Sequence, residues 1–158
     1  MTANFVPWNE VHASGIVDTF RHLEGPLLPI LHAVQEAFGY VPEPAIPLIA
    51  EALNLSRAEV HGVVTFYHDF RREPAGRHVL KLCRAEACQA AGCDALIARA
   101  ESKLGMTIGE TRADRRVTLE PVYCLGLCSV SPSAMIDGRL VGRLDEGKLD
   151  ALIAEAER

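Results

Sequence analysis

The first 75 residues contain no cysteine; all five cysteines lie further along the chain. The same stretch is poor in positive charge. Arg21, Arg57, Arg71 and Arg72 stand against nine acidic side chains, whereas residues 76–158 carry twelve of each sign, so the net charge of −5 arises entirely N-terminally. A nucleic-acid partner is therefore not expected, because a DNA or RNA reader must neutralise phosphates. Neither G-x-G-x-x-G nor a Walker motif occurs, so no nucleotide site is predicted. No apolar run approaches membrane-spanning length, and MTANFVPWNEVHASG lacks the basic-then-apolar order of a leader. A cytoplasmic chain without direct membrane insertion is expected.

What is present divides at Pro74-Ala75-Gly76, a breaker beside a permissive residue. The expected organisation is α+β, with a small helical bundle over 1–75 followed by an α/β domain over 76–158. Leu27, Ile30, Leu31, Val34 and Phe38 recur at helical spacing after Pro26, with Gly39 placed to stop the helix. A second helix is predicted from near Pro47. Ser56-Arg57-Ala58-Glu59 matches a capping box for a third helix, from Arg57 towards Tyr67. AEALNLSRAEVHGVVTFY has the look of a helix-turn-helix, but Arg57 is opposed by Glu59 and the surrounding half is acidic, so two packed helices are the expected reading. His61 and His68, placed in one predicted helix, stand about 10 Å apart at 1.5 Å per residue, too far to share one metal ion.

The second half reads β-α-β-β-β-α. His78–Leu82 forms a strand leading into Cys83, and a helical stretch runs from Cys88 to Leu104. Val117–Tyr123 is the next strand, its Pro121 marking an edge or an end. Asp137-Gly138 is a hairpin signal between Ala134–Ile136 and Arg139–Val141, and Asp145 can cap a last helix. Parallel strands joined through a helix finish at the same end of a sheet, which places Cys83 and Cys88 beside Cys124 and Cys128. The spacing is C-x4-C, 35 residues, then C-x3-C.

Such paired thiolates suit tetrahedral zinc or an iron–sulfur cluster, and spacing alone does not choose between them. A disulfide frame fits poorly, since a 158-residue chain that is 49% hydrophobic buries a core without staples. Ala85, Ala87 and Gly126 are small enough for backbone amides to approach a cluster, and Leu125 and Leu127 are placed to cover it. Cys88 is predicted at a helix N-terminus, where the dipole favours an anionic centre, with Arg84 adding positive charge and Glu86 opposing it. Cys93 is set aside as a small buried side chain, turned about 140° from Cys88 around a continuous helix.

The stretch GYVPEPAIPLIAEALNLSRAEVHGVVTFYHDFRREPAGRHVLKLCRAEACQAAGC followed by VYCLGLC resembles the thioredoxin-like [2Fe-2S] ferredoxin family. That family includes the small cluster subunit of respiratory complex I and relatives in NAD-linked hydrogenases and formate dehydrogenases. Within it, LNLSRAEVHGVVTFYHDFRREPAGRH, CRAEACQ and LEPVYCLG most resemble the gamma-subunit branch of soluble, molybdenum-containing, NAD-dependent formate dehydrogenases. The resemblance implies a thioredoxin-like second domain and one [2Fe-2S] cluster on Cys83, Cys88, Cys124 and Cys128. It also implies an electron-transfer subunit that is not an enzyme by itself. Its partners would be a beta subunit that binds FMN and NAD and an alpha subunit that holds further Fe-S clusters and the molybdenum cofactor. The equivalent subunit of complex I (NADH:quinone oxidoreductase) or of an NAD-linked hydrogenase is the alternative, and a zinc-stabilised interaction module is a third possibility.

Overall fold

The computed structural model describes residues 6–158; the first five residues of the N-terminal stretch read above lie outside them. The described residues divide into two compact units, 6–74 and 75–158.

The first unit is all helical: α1 (Glu10–Phe20), α2 (Leu27–Phe38), α3 (Ala45–Leu53) and α4 (Arg57–Phe66). The predicted periodicity of α2 becomes its packing face, with Ile30, Leu31, Val34 and Phe38 all buried. Gly39 closes that helix at φ +83°, the left-handed region that a residue without Cβ enters freely. The capping box at α4 is complete: the Glu59 amide donates to Ser56 Oγ and the Ser56 amide donates to the Glu59 carboxylate at 2.8 Å. Hydrogen bonding from the Ser56 backbone, then from its side chain, holds the Glu59 carboxyl below its ordinary value. Helix α1, capped by Asn9 accepting from the His12 amide at 2.9 Å, has no counterpart in the sequence reading. Two expectations need correction. Helix α3 begins at Ala45, not near Pro47, because Pro44 takes the N-cap position. Helix α4 stops at Phe66, so His68 lies beyond the helix that carries His61.

The second unit contains a four-stranded sheet, ordered β2-β1-β3-β4, from strands β1 (His78–Cys83), β2 (Val117–Val122), β3 (Ala134–Ile136) and β4 (Arg139–Val141). Strands β1 and β2 are parallel, and β3 runs antiparallel to both β1 and β4. Pro121 lies in β2, which is an edge strand where a missing amide costs least. Asp137 and Gly138, at φ +48° and +85°, form the expected two-residue turn between β3 and β4. Asp145 accepts from the Lys148 amide at 2.8 Å and caps α7 (Glu146–Ala156). Leu80, Leu119, Ile136 and Leu149 are fully buried together at the centre of this unit. The fold is α+β, as expected.

The crossover between β1 and β2 is not one continuous helix. It is α5 (Glu86–Ala90) followed by α6 (Cys93–Leu104), separated where Gly92 adopts φ +87°. The angle of 140° assigned to Cys93 around a continuous helix therefore does not apply. Cys93 is instead the first residue of α6, 3% exposed within the apolar core, so its reading as a buried side chain holds for a different geometric reason.

Candidate metal centre

Strand β1 ends on Cys83, and its neighbour β2 ends on Val122, two residues before Cys124. The parallel register pairs Cys83 with Val122, and the ladder continues one step further where the Arg84 amide donates to the Val122 carbonyl at 2.8 Å. Both cysteine-bearing loops therefore leave the same end of the sheet side by side. On the other side of β1, the Cys83 amide donates to the Ser133 carbonyl at 3.0 Å, which fixes the residue entering β3 against the same loop.

The four thiols come together as two pairs. Cys124 Sγ and Cys128 Sγ stand 3.8 Å apart, and Cys83 and Cys88 are hydrogen-bonding neighbours. The pairs differ in exposure: Cys83 and Cys88 are each 2% exposed, whereas Cys124 and Cys128 are open to solvent. The expected shielding by Leu125 and Leu127 is thus not found at the second pair. Leu125 turns inward to pack against the core, because the loop reverses at Gly126 with φ +75°. Cys124 adopts φ +104°, a region L-residues rarely occupy and one in which strain gathers at functional sites. The Ser131–Pro132 peptide that follows the second pair is cis.

Backbone amides converge on these sulfurs. The Gly126 amide donates to Cys124 Sγ at 3.4 Å. At Cys83, burial pushes the thiol up, but hydrogen bonds from the Ala85 amide, the Cys88 thiol, the Cys124 amide and the Ser133 hydroxyl outweigh it and hold the group below the ordinary thiol value. Cys128 is pushed the other way, first by its hydrogen bond with Cys124 and then by the charge on that neighbour. Cys93 is raised by burial and by the adjacent Asp94. The amides of Ala85 and Gly126 are thus directed at cysteine sulfur. Cys88 sits in the first turn of α5. The side chain of Arg84 adds one buried donor, Nε, that has no hydrogen-bond partner among the described residues.

This donor set fits an anionic sulfur-ligated group. Two thiolates on one tetrahedral metal stand about 3.8 Å apart at a metal–sulfur bond of about 2.3 Å, which is the separation found between Cys124 and Cys128. Amide donors aimed at thiolate sulfur supply part of the compensation that clustered negative charge requires.

The family model described as thioredoxin-like [2Fe-2S] ferredoxin matches residues 13–157. The chain belongs to that family. Thioredoxin-like [2Fe-2S] ferredoxins carry one [2Fe-2S] cluster. The chain is 39% identical over 132 residues to an NADH-quinone oxidoreductase subunit of Pseudomonas aeruginosa, covering 82% of this chain and 80% of that one. It is 29% identical over 139 residues to an NADP-reducing hydrogenase subunit of Solidesulfovibrio fructosivorans, covering 88% and 81%. Among solved structures, an NAD+-reducing [NiFe]-hydrogenase in the air-oxidised state superposes with a TM-score of 0.71 at 28% identity over 83% of this chain. This chain spans only 22% of the hydrogenase chain. No helix among the described residues is long and apolar enough to cross a membrane.

Proposed function

We propose that this thioredoxin-like ferredoxin is the electron-transfer subunit of an NAD(P)H-linked oxidoreductase complex, holding one [2Fe-2S] cluster on Cys83, Cys88, Cys124 and Cys128. The observation that carries the reading is that parallel β1 and β2 bring both cysteine-bearing loops to the same end of the sheet, in a chain matched over residues 13–157 by the thioredoxin-like [2Fe-2S] ferredoxin family model. A two-iron cluster takes two thiolates on each iron, which two neighbouring loops of two cysteines each can supply. When bound, the cluster supplies one-electron oxidation and reduction. The chain's own groups set the conditions for that exchange. The Ala85, Cys124 and Gly126 amides donate to ligand sulfur and favour added negative charge, and the β1–β2 ladder holds the two loops in register. The exposed Cys124 and Cys128 offer the short approach that a partner needs.

Nicotinamide exchanges a hydride, so a flavin must convert between one-electron and two-electron chemistry. With no recognisable nucleotide motif here, an FMN-bearing partner subunit is proposed to supply that flavin. The relatives described above are named for quinone-linked and hydrogen-linked complexes, which supports those forms better than the formate-linked one. The formate dehydrogenase reading, with its molybdenum-bearing alpha subunit, is the second reading and rests on the stretches LNLSRAEVHGVVTFYHDFRREPAGRH, CRAEACQ and LEPVYCLG.

Anaerobic purification with iron, sulfide and zinc assays, followed by EPR after dithionite reduction, tests the cluster. Two irons, two sulfides and an S = 1/2 signal per chain are expected; one zinc without sulfide, persisting after attempted reconstitution, would defeat the proposal. Purification of the native complex tests the partner: quinone or hydrogen chemistry with NAD(P)H supports the first reading, and formate-dependent NAD+ reduction supports the second.

A further inference from the structure

Two polar residues, Thr118 and Ser133, are buried among the described residues. Thr118 is occupied structurally, its Oγ1 accepting from the Gly76 amide at 2.6 Å and bonding Thr111 Oγ1 at 2.8 Å. Ser133 is different, because its hydroxyl is directed at sulfur. Its Oγ stands 3.5 Å from the Sγ of Cys88, one of the two buried members of the thiol set. Its backbone is held there independently, since its carbonyl accepts from the Cys83 amide and the next residue, Ala134, pairs with Leu82 in the sheet. The hydroxyl therefore does not reach the sulfur by chance of rotamer alone; the β1–β3 ladder delivers the residue to it.

Between a free thiol and a hydroxyl either group can donate. Once Cys83 and Cys88 are metal-bound thiolates they carry no proton, and the hydroxyl alone can. A hydrogen bond to thiolate sulfur stabilises the state with more negative charge, which is the reduced one. At 2% exposure Ser133 is little screened by water, so this contribution is larger here than it would be at the exposed Cys124 and Cys128.

We propose that Ser133 is a positioning residue that raises the reduction potential of the centre by donating its hydroxyl to the sulfur of Cys88, one of the buried pair. The inference rests on the cluster reading above and extends it to a residue that is not a ligand. No proton is transferred: the hydrogen bond strengthens when one electron is added and weakens when it leaves.

The test uses the full chain with Ser133→Ala, Ser133→Thr and Ser133→Val, each assayed for iron and sulfide before redox titration by EPR. Ser133→Ala is expected to keep two irons and two sulfides while its midpoint potential falls by about 59 mV, a tenfold drop in the one-electron reduction constant. Ser133→Thr, which keeps the hydroxyl, is expected to stay near the wild type. Thr and Val are alike in size, so their comparison isolates the hydroxyl even where Ser133→Ala fails to load, and Val is expected to titrate below Thr. Loaded variants with potentials equal to the wild type, or Thr and Val equal to each other, overturn the inference while leaving the cluster intact. A wild-type chain that holds zinc and no sulfide overturns the cluster reading and this inference with it.

Discussion

Cys124 Sγ and Cys128 Sγ lie 3.8 Å apart on a solvent-exposed loop whose first cysteine has φ +104°. An apolar loop would have little reason to keep an exposed L-residue in that region, since such backbone costs of order 1–3 kcal/mol. The conformation is accounted for if it presents two thiolates to one metal. Replacing any one of Cys83, Cys88, Cys124 or Cys128 with Ala is expected to abolish or severely reduce iron and sulfide content after reconstitution. Cys93→Ala is expected to retain both, because Cys93 is core. A Cys93 variant that loses the cluster while a Cys128 variant keeps it would reverse the ligand assignment.

Two glycines should respond to alanine with opposite signs. A Cβ on Gly76 would stand 2.8 Å from the Val117 carbonyl carbon and 2.9 Å from its nitrogen, backbone atoms of an edge strand that cannot retreat without breaking the sheet. Gly62 lies inside α4 with nothing within 4 Å of such an atom. Gly76→Ala is expected to destabilise by about 1–3 kcal/mol, as overpacking does. Gly62→Ala is expected to stabilise by about 0.5–1 kcal/mol, through lower backbone entropy in the unfolded chain. Urea unfolding of the three proteins measures both, and equal midpoints would contradict the close approach at Gly76.

The parts legible in the sequence were those written in local patterns. The i, i+3, i+4 run from Leu27 to Phe38, the Ser56 to Glu59 box and the Asp137-Gly138 turn each encode one element without reference to the rest. The pairing of the two cysteine loops followed from one topological rule, that a crossover returns parallel strands to the same end. What escaped depended on distant contacts. Helix α1 buries only Ala13 and Val17, too short an apolar stripe to announce itself, and packs against α2 and α3. The break at Gly92 was hidden because a single glycine is tolerated within many helical patterns. Ser133 carries no motif at all; it matters because β3 pairs with β1, a relationship across more than fifty residues.

Gln35 illustrates the same kind of long-range dependence in the helical unit. Its Nε2 donates to the Asp69 carbonyl at 2.7 Å while its Oε1 accepts from the Arg71 amide at 2.6 Å, and the Arg71 carbonyl accepts from the Val41 amide at 2.8 Å. This clip holds the segment after α4 so that Phe70 stays buried beside His32, with ring centroids 4.9 Å apart. Gln35→Ala removes both contacts, the one to the Arg71 amide being part-buried, and is expected to cost about 0.5–1.5 kcal/mol. Faster hydrogen exchange at the Arg71 amide would locate the effect; an unchanged rate would show that the clip does not hold the segment.

Asp150 on α7 ties its helix to α6. Arg99 donates to both carboxylate oxygens, at 3.0 and 2.8 Å, and Lys103 Nζ reaches Oδ2 at 2.7 Å. Hydrogen bonding from Arg99, then from Lys103, holds the Asp150 carboxyl well below the ordinary carboxylate range. A carboxyl with a lower pKa in the folded than in the unfolded chain stabilises the fold above its unfolded value, about 3.9, and loses that contribution as pH falls through its folded value. The stability difference between wild type and Asp150→Asn is therefore expected to be full at pH 7 and to shrink below about pH 4. Because the group is accessible to water, added salt should also reduce the difference at pH 7. Urea midpoints for both proteins at pH 7, 5 and 3, in low and high salt, measure this directly. A difference that stays constant from pH 7 to pH 3 would mean that Asn replaces the carboxylate through hydrogen bonding alone, and that charge does not fasten α7 to α6.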